Sequence, residues 1–243
     1  MQTTEFNAHA IQPIECLREA WELIKDDYWL LFAVSIVGAL VGAVSLYALI
    51  GAMICGIFGC YLKKIDGGNV RFDDLWLGFK FFGPSLLVTI AFVVPIVAFA
   101  LIMFLTIYLP LITAAVMGNK ANESAILGSF LLGSAIDIVV AVVMVCIHSL
   151  LMFAFPLIVD RGLSSWDAMK LSARAVMKNL GGIGGLIVVN FVLVLLGEAA
   201  FCVGVYLVIP IITATSLVAY RKVFPAPENR NFAPPPPTAY QGI

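Results

Sequence analysis

The sequence predicts an all-α polytopic membrane helix bundle of about six transmembrane helices in three hairpins, each preceded by a cytoplasmic-side amphipathic helix. Three observations predict it. Of 243 residues, 62% are hydrophobic and only 12% charged, against about 25% charged in a soluble domain. Apolar runs such as residues 29–62 and 180–220 far exceed the roughly 20 helical residues that cross a hydrocarbon core. They lack the period-two alternation of barrel strands, which leaves the helix as the structure that satisfies its own backbone in lipid. Finally, the 14 Lys and Arg lie between these runs rather than in one patch.

Taken in order, residues 1–12 form a polar tail. Pro13 opens an amphipathic helix with Ile14, Leu17, Trp21, Ile24 and Tyr28 on one face and Glu15, Arg18, Glu19, Glu22 and Lys25 on the other. This acidic stretch does not resemble a cleavable signal, so the first span is expected to stay in the protein. The apolar run that follows is too long for one ordinary span and barely long enough for two. Charge decides between them. A hairpin turning near Ala43 to Leu46 puts Arg18, Lys25, Lys63, Lys64, Arg71 and Lys80 on one side, as the positive-inside rule prefers. The spans are then about 29–45 and 47–62, and Gly38 and Gly42 allow the two helices a close approach.

Residues 65–71 read as a turn. A second amphipathic segment carries Phe72, Leu75, Trp76, Phe79 and Phe82 on its apolar face, with Asp73, Asp74 and Lys80 opposite. The third span is expected at about 85–108, with Pro95 kinking it, and the fourth at about 132–158 after the polar break 118–124. A third amphipathic helix starts at an N-cap Ser164 or Ser165. Trp166, Met169, Ala173, Val176, Met177 and Leu180 line one face; Asp167, Lys170, Arg174 and Lys178 line the other. The last hairpin covers about 180–197 and 200–220, turning near Gly197-Glu198. The domain thus runs 13–223, and the Pro-rich tail 224–243 is expected to be disordered. With both ends cytoplasmic, only Lys120 of the 14 cations faces the other side.

The same unit, a surface helix and then a two-span hairpin, starts near 13, 72 and 165. Tyr47 and Tyr61 share their 14-residue spacing with Tyr206 and Tyr220. Three repeats of one orientation suggest a pseudo-threefold bundle. Each surface helix carries one Trp (Trp21, Trp76, Trp166), as interfacial helices do.

Few residues carry chemistry. Asp137 lies within an apolar run, where a carboxylate is costly and a functional candidate by default. His148, 11 residues on, shares its helical face. The pair reads either as a proton or ion relay or as buried polar groups satisfied by neighbouring helices. Asn190 reads as interhelical glue, and Glu198 as a solvated turn residue. Gly181, Gly182, Gly184 and Gly185 follow no strand and precede no Lys-Ser/Thr, so they suit helix packing, or a helix break, better than phosphate binding. Lys63, Lys64, Lys170, Arg174 and Lys178 are candidate contacts to anionic lipid headgroups, or orientation signals only. The five cysteines form no Cys-x-x-Cys and read as packing residues. No nucleophile–base–acid set is visible, so an enzyme is not expected, nor a cofactor, a metal or a nucleic-acid partner. The expected partners are the bilayer, anionic lipids, and a membrane protein or a second copy of the chain.

The stretches PLIVDRGLSSWDAMKLSARAVMKN (156–179), PIITATSLVAYRKVF (210–224) and GCYLKKIDGGNVRFDDLWLGF (59–79) resemble a set of uncharacterised bacterial integral membrane proteins. That set includes the membrane domain fused to some glycerophosphodiester phosphodiesterases. The resemblance covers roughly residues 13–223. It implies a bacterial inner-membrane protein with six or so helices and no assigned activity. The phosphodiesterase is a separate soluble domain for which this chain has no room, so its activity is not carried over.

Overall fold

All described secondary structure is helical, as a chain this apolar requires if its backbone is to be satisfied without water. The computed structural model describes residues 6–45, 48–118, 123–200 and 203–226. Lys120, Tyr47, Cys202 and the Pro-rich tail beyond residue 226 lie outside these. Five helical segments are long and apolar enough to cross a membrane: Pro13–Val44, Phe72–Val116, Ser124–Arg161, Leu180–Ala199 and Val203–Val223. The helices cluster into two compact units.

One unit contains the described residues up to Gly38, Gly56–Leu77, and those from Asn179 on. Helix α1, Pro13–Ile24, has Pro at its first turn, where the missing N–H costs nothing. A 3₁₀ turn, Lys25–Asp27, leads into α2, Tyr28–Val44. Of the apolar face read from the sequence, Ile24 is buried but Ile14 and Trp21 are exposed, and the buried face is completed by Cys16 and Ala20. The small Cys16 and Ala20 side chains let α1 lie closely against α9, Leu180–Ala199, and α10, Val203–Val223. The glycines at the start of α9 serve this contact. A Cβ on Gly182 would lie 2.5 Å from that of Ile11, and one on Gly185 2.5 Å from the Pro13 ring. Gly181 and Gly184 face open space. Asn179 ties down the stretch before α1 by accepting from the Ala10 N–H (3.0 Å) and donating to the Asn7 carbonyl (3.2 Å).

Helix α3, Ile50–Ile65, has 16 residues, about 24 Å at 1.5 Å per residue. It runs antiparallel to α2: Ser35 meets the Tyr61 hydroxyl at 2.9 Å, and Gly38 takes the Ile57 side chain against its bare Cα. The expected turn at 65–71 begins with a Schellman motif. The Gly68 N–H donates to the Lys63 carbonyl (2.8 Å) and the Gly67 N–H to that of Lys64 (3.0 Å), with Gly67 at φ +81°.

The second amphipathic segment, Phe72–Phe81, is a 3₁₀ helix. Its three-residue period buries Leu75 and Gly78 and leaves Phe72, Trp76, Phe79 and Phe82 exposed, so the five-residue apolar face read from the sequence does not form. Leu75 instead presses its backbone onto Gly56 of α3.

The other unit contains Ala39–Cys55 and Gly78–Lys178. Its third apolar run does not stop at 108. Helix α4, Phe82–Met103, passes through Pro95, then a π-helical turn, Phe104–Tyr108, then α5, Leu109–Met117. The fourth run likewise begins earlier than 132. Helix α6 spans Glu123–Leu150, and a short turn separates it from α7, Ala154–Arg161. Pro156, in the first turn of α7, cannot return an N–H to the Met152 carbonyl, and α8, Ser165–Met177, supports the break. Ser172 donates to the Leu150 carbonyl (2.7 Å) and accepts from the Phe153 N–H (3.0 Å), satisfying the backbone groups that the break frees.

Candidate functional site

Two places in the second unit concentrate polar side chains in an apolar frame. The first is the face of α6 turned to α4 and α5, where Gly133, Asp137 and His148 fall at helical spacing. Pro110 has no N–H to return to the Thr106 carbonyl four residues earlier, and the π-helical turn precedes it. Gly133 fits directly over that carbonyl, for a Cβ there would lie 2.5 Å from its oxygen. One turn further, the Thr106 hydroxyl lies 3.0 and 3.1 Å from the two oxygens of buried Asp137, and 2.9 Å from the Ile102 carbonyl. Near the other end of α6, His148 places Nε2 3.1 Å from the Phe92 carbonyl and Nδ1 2.8 Å from that of Met144. Phe92 lies one turn before Pro95, and its ring meets the imidazole edge-on at 5.1 Å. Asp137 and His148 thus each meet a stretch of α4–α5 beside a proline.

The sequence candidates divide between the two units. Asp137 and His148 stand three turns apart on one helix and share no partner. Asn190 belongs to the other unit, with its buried Oδ1 lacking a hydrogen-bond partner among the described residues. Among the described residues no three His, Cys, Asp or Glu side chains group to hold a metal; Cys16, Cys55 and Cys60 are buried singly.

Removing the Thr106 hydroxyl deprives the Asp137 carboxyl of its donor. Thr106→Val is expected to lower the folding free energy by about 1–3 kcal/mol, whereas Thr106→Ser leaves it near wild type. Midpoints of SDS-induced unfolding, followed by circular dichroism, measure both. A valine variant as stable as wild type would show that Asp137 does not depend on this contact.

The second place is α8. Its N-cap is Ser164, whose hydroxyl accepts from the Asp167 N–H (3.3 Å). Ser165 turns inward and donates to the Pro84 carbonyl (2.7 Å). With Ser172 one heptad on, and with Ala168, Leu171, Ala175 and Val176, it forms the buried face. That face consists mostly of small residues, a pattern a hydrophobicity reading passes over. Docking by this face turns the opposite one outward. Trp166 and Met177 are 64% and 59% exposed, and Lys170, Arg174 and Lys178 are exposed beside them. The Lys170 ammonium lies 5.2 Å from the Trp166 ring centroid, a cation–π distance.

Lys63 and Lys64 are placed differently. Lys63 binds Asp74 at 2.8 Å, and Lys64 is paired with Asp27. Their ammonium groups are committed within the protein, while the three cations of α8 make no ion pair among the described residues.

Fold and site define an all-helical protein of the membrane-compatible class. No protein-family model matches the chain, and no curated protein and no solved structure is similar to it.

Proposed function

We propose that this chain is a non-enzymatic multi-pass protein of the bacterial cytoplasmic membrane that engages anionic lipid through α8, in envelope maintenance or in assembly of a membrane complex. The observation that carries this reading is the exposed face of α8, where two large apolar side chains stand among three uncommitted cations. Interfacial helices have this composition: apolar groups enter the headgroup boundary while Lys and Arg meet phosphates. In this reading α3 is a short sixth span paired with α2, and both termini are cytoplasmic. Positive-inside charge supports that orientation, since Lys120 alone lies outside. The sequence resemblance to bacterial inner-membrane proteins agrees with it.

Each surface cation contributes about 1 kcal/mol toward an anionic leaflet. Neutralising all three in K170Q/R174Q/K178Q is therefore expected to reduce preference for phosphatidylglycerol over phosphatidylcholine at least about tenfold. A protein with Trp166 as sole tryptophan, reconstituted in nanodiscs and quenched by headgroup-labelled lipids, measures it. Unchanged preference would overturn the reading.

The rival is a small transporter or channel using Asp137 and His148. It draws on the buried carboxylate beside a π-helical turn, a feature frequent at functional sites. Their separate local partners weigh against it. Solute or proton flux in liposomes that Asp137→Asn abolishes would favour the rival.

A further inference from the structure

The first unit carries a second surface of mixed chemistry. Helix α1 has three faces: the buried one, an acidic one of Glu15, Glu19 and Glu22, and a third of Ile14, Leu17, Arg18 and Trp21. The third face, with Leu193 of α9 and Ile211 of α10, lines a groove of about 320 Å³. Ile14 is 70% and Trp21 45% exposed, so burial within the protein does not account for them. The floor of the groove belongs to α9 and α10, both long and apolar enough to cross a membrane, where acyl chains are the surrounding medium.

Charge accounting singles out Arg18. Lys222 takes Glu19 (2.8 Å) and Glu15 (3.7 Å), and Lys25 takes Glu22. The carboxylates flanking Arg18 on its own helix are thereby compensated, and Arg18 makes no ion pair among the described residues. A guanidinium presents planar donors that match phosphate oxygens, and a neighbouring Trp suits the headgroup boundary. The groove is also held in shape. Ile11 and Pro13 seat on Gly182 and Gly185 at one end of α1, and beyond its other end Tyr28 donates its hydroxyl to the Leu207 carbonyl.

We propose that this groove holds one glycerophospholipid, its phosphate on Arg18 and one acyl chain along Leu17, Trp21, Leu193 and Ile211. The site does not depend on the role of α8. The test uses the full chain with Trp21 as sole tryptophan (W29F/W76F/W166F), purified in detergent and titrated with phosphatidylglycerol carrying brominated chains. Quenching of Trp21 is expected to saturate, and R18Q to raise the titration midpoint at least about fivefold, since hydrogen bonds to a charged group weigh heavily. R18K is expected to fall between them. Brominated diacylglycerol, which lacks the phosphate, is expected not to quench over the same range, and K170Q/R174Q/K178Q to leave the curve unmoved. A superimposable R18Q curve, equal quenching by diacylglycerol, or quenching that rises without saturation would each overturn the proposal. Should the tryptophan replacements unfold the protein, native mass spectra of wild type and R18Q decide the matter instead: equal occupancy of a one-lipid adduct rejects the site, and loss in R18Q supports it.

Discussion

Replacing Gly56 by alanine is expected to destabilise the protein by about 3 kcal/mol, the upper range for overpacking. A Cβ there would lie 2.0 Å from the Leu75 carbonyl oxygen and 3.0 Å from its carbon. Those atoms are backbone, so no rotamer change relieves the clash. The 3₁₀ segment Phe72–Phe81 would have to lift off α3, exposing Leu75, which is fully buried. Gly128 is the control, because nothing lies within 4 Å of a Cβ built on it; Gly128→Ala is expected to stay within about 0.5 kcal/mol of wild type. Both are measured as shifts in SDS-induced unfolding midpoints. Similar shifts for the two would mean that the contact at Gly56 relaxes freely.

Removing one partner of the Asp66–Arg221 pair should cost about 3–5 kcal/mol, because it leaves an uncompensated buried charge. The pair is bidentate, with Arg221 donating to the two carboxylate oxygens of Asp66 at 2.8 and 2.7 Å. Both side chains are nearly covered, at 10% and 8% exposure. Asp66 follows the last residue of α3, where the Schellman turn fixes it, and Arg221 lies near the end of α10. The pair therefore closes the ends of two helices that are far apart in sequence. D66N and R221M are each expected to be strongly destabilised. The double variant D66L/R221M should recover much of the loss, since an apolar pair of similar volume often substitutes without penalty. Additive losses in the double variant would show that the two side chains do not act as a pair.

Several elements were legible in the residues. Pro13 and the apolar-acidic periodicity marked α1, and the Asp-Gly-Gly run marked the turn after α3. Ser164 was one of two N-cap choices for α8, and the structure selects it because the Ser165 hydroxyl is used by the Pro84 carbonyl. The glycines opening α9 read as packing residues, and two of the four are. Element ends were less legible. Nothing at Tyr108 stops a helix, and the chain continues through Pro110 because the π-helical turn accommodates the missing N–H. The break after Leu150 did have a mark in the sequence, Pro156, which cannot return an N–H to the Met152 carbonyl, but its position at 151–153 is fixed by Ser172 from another helix.

The candidate sites divide the same way. Asp137 and His148 stand out because charge and imidazole are rare in lipid, but Thr106 and Gly133, which receive the carboxylate, are ordinary residues of an apolar run. Lys63 and Lys64 look like the cations of α8 in one dimension; only the fold pairs them with Asp74 and Asp27. Arg18 is one charge among several on the polar side of a helical wheel. What distinguishes it is that Lys222 and Lys25 engage the carboxylates around it, which no periodicity reveals.

By itself, then, the sequence determined that this protein is helical, that its long apolar runs suit a membrane, and where its polar punctuation falls. These follow from composition and periodicity, which act locally along the chain. Only the tertiary structure decided which face each amphipathic helix buries. In α1 and α8 that face is built mostly from Cys, Ala and Ser, with Ile24, Leu171 and Val176 among them, while Trp21, Trp166 and Met177 stay outside it. The physical reason is that helices close on one another through small residues that permit near approach. Trp21, Trp166 and Met177 therefore stay exposed, and we propose that the cations beside them meet lipid headgroups.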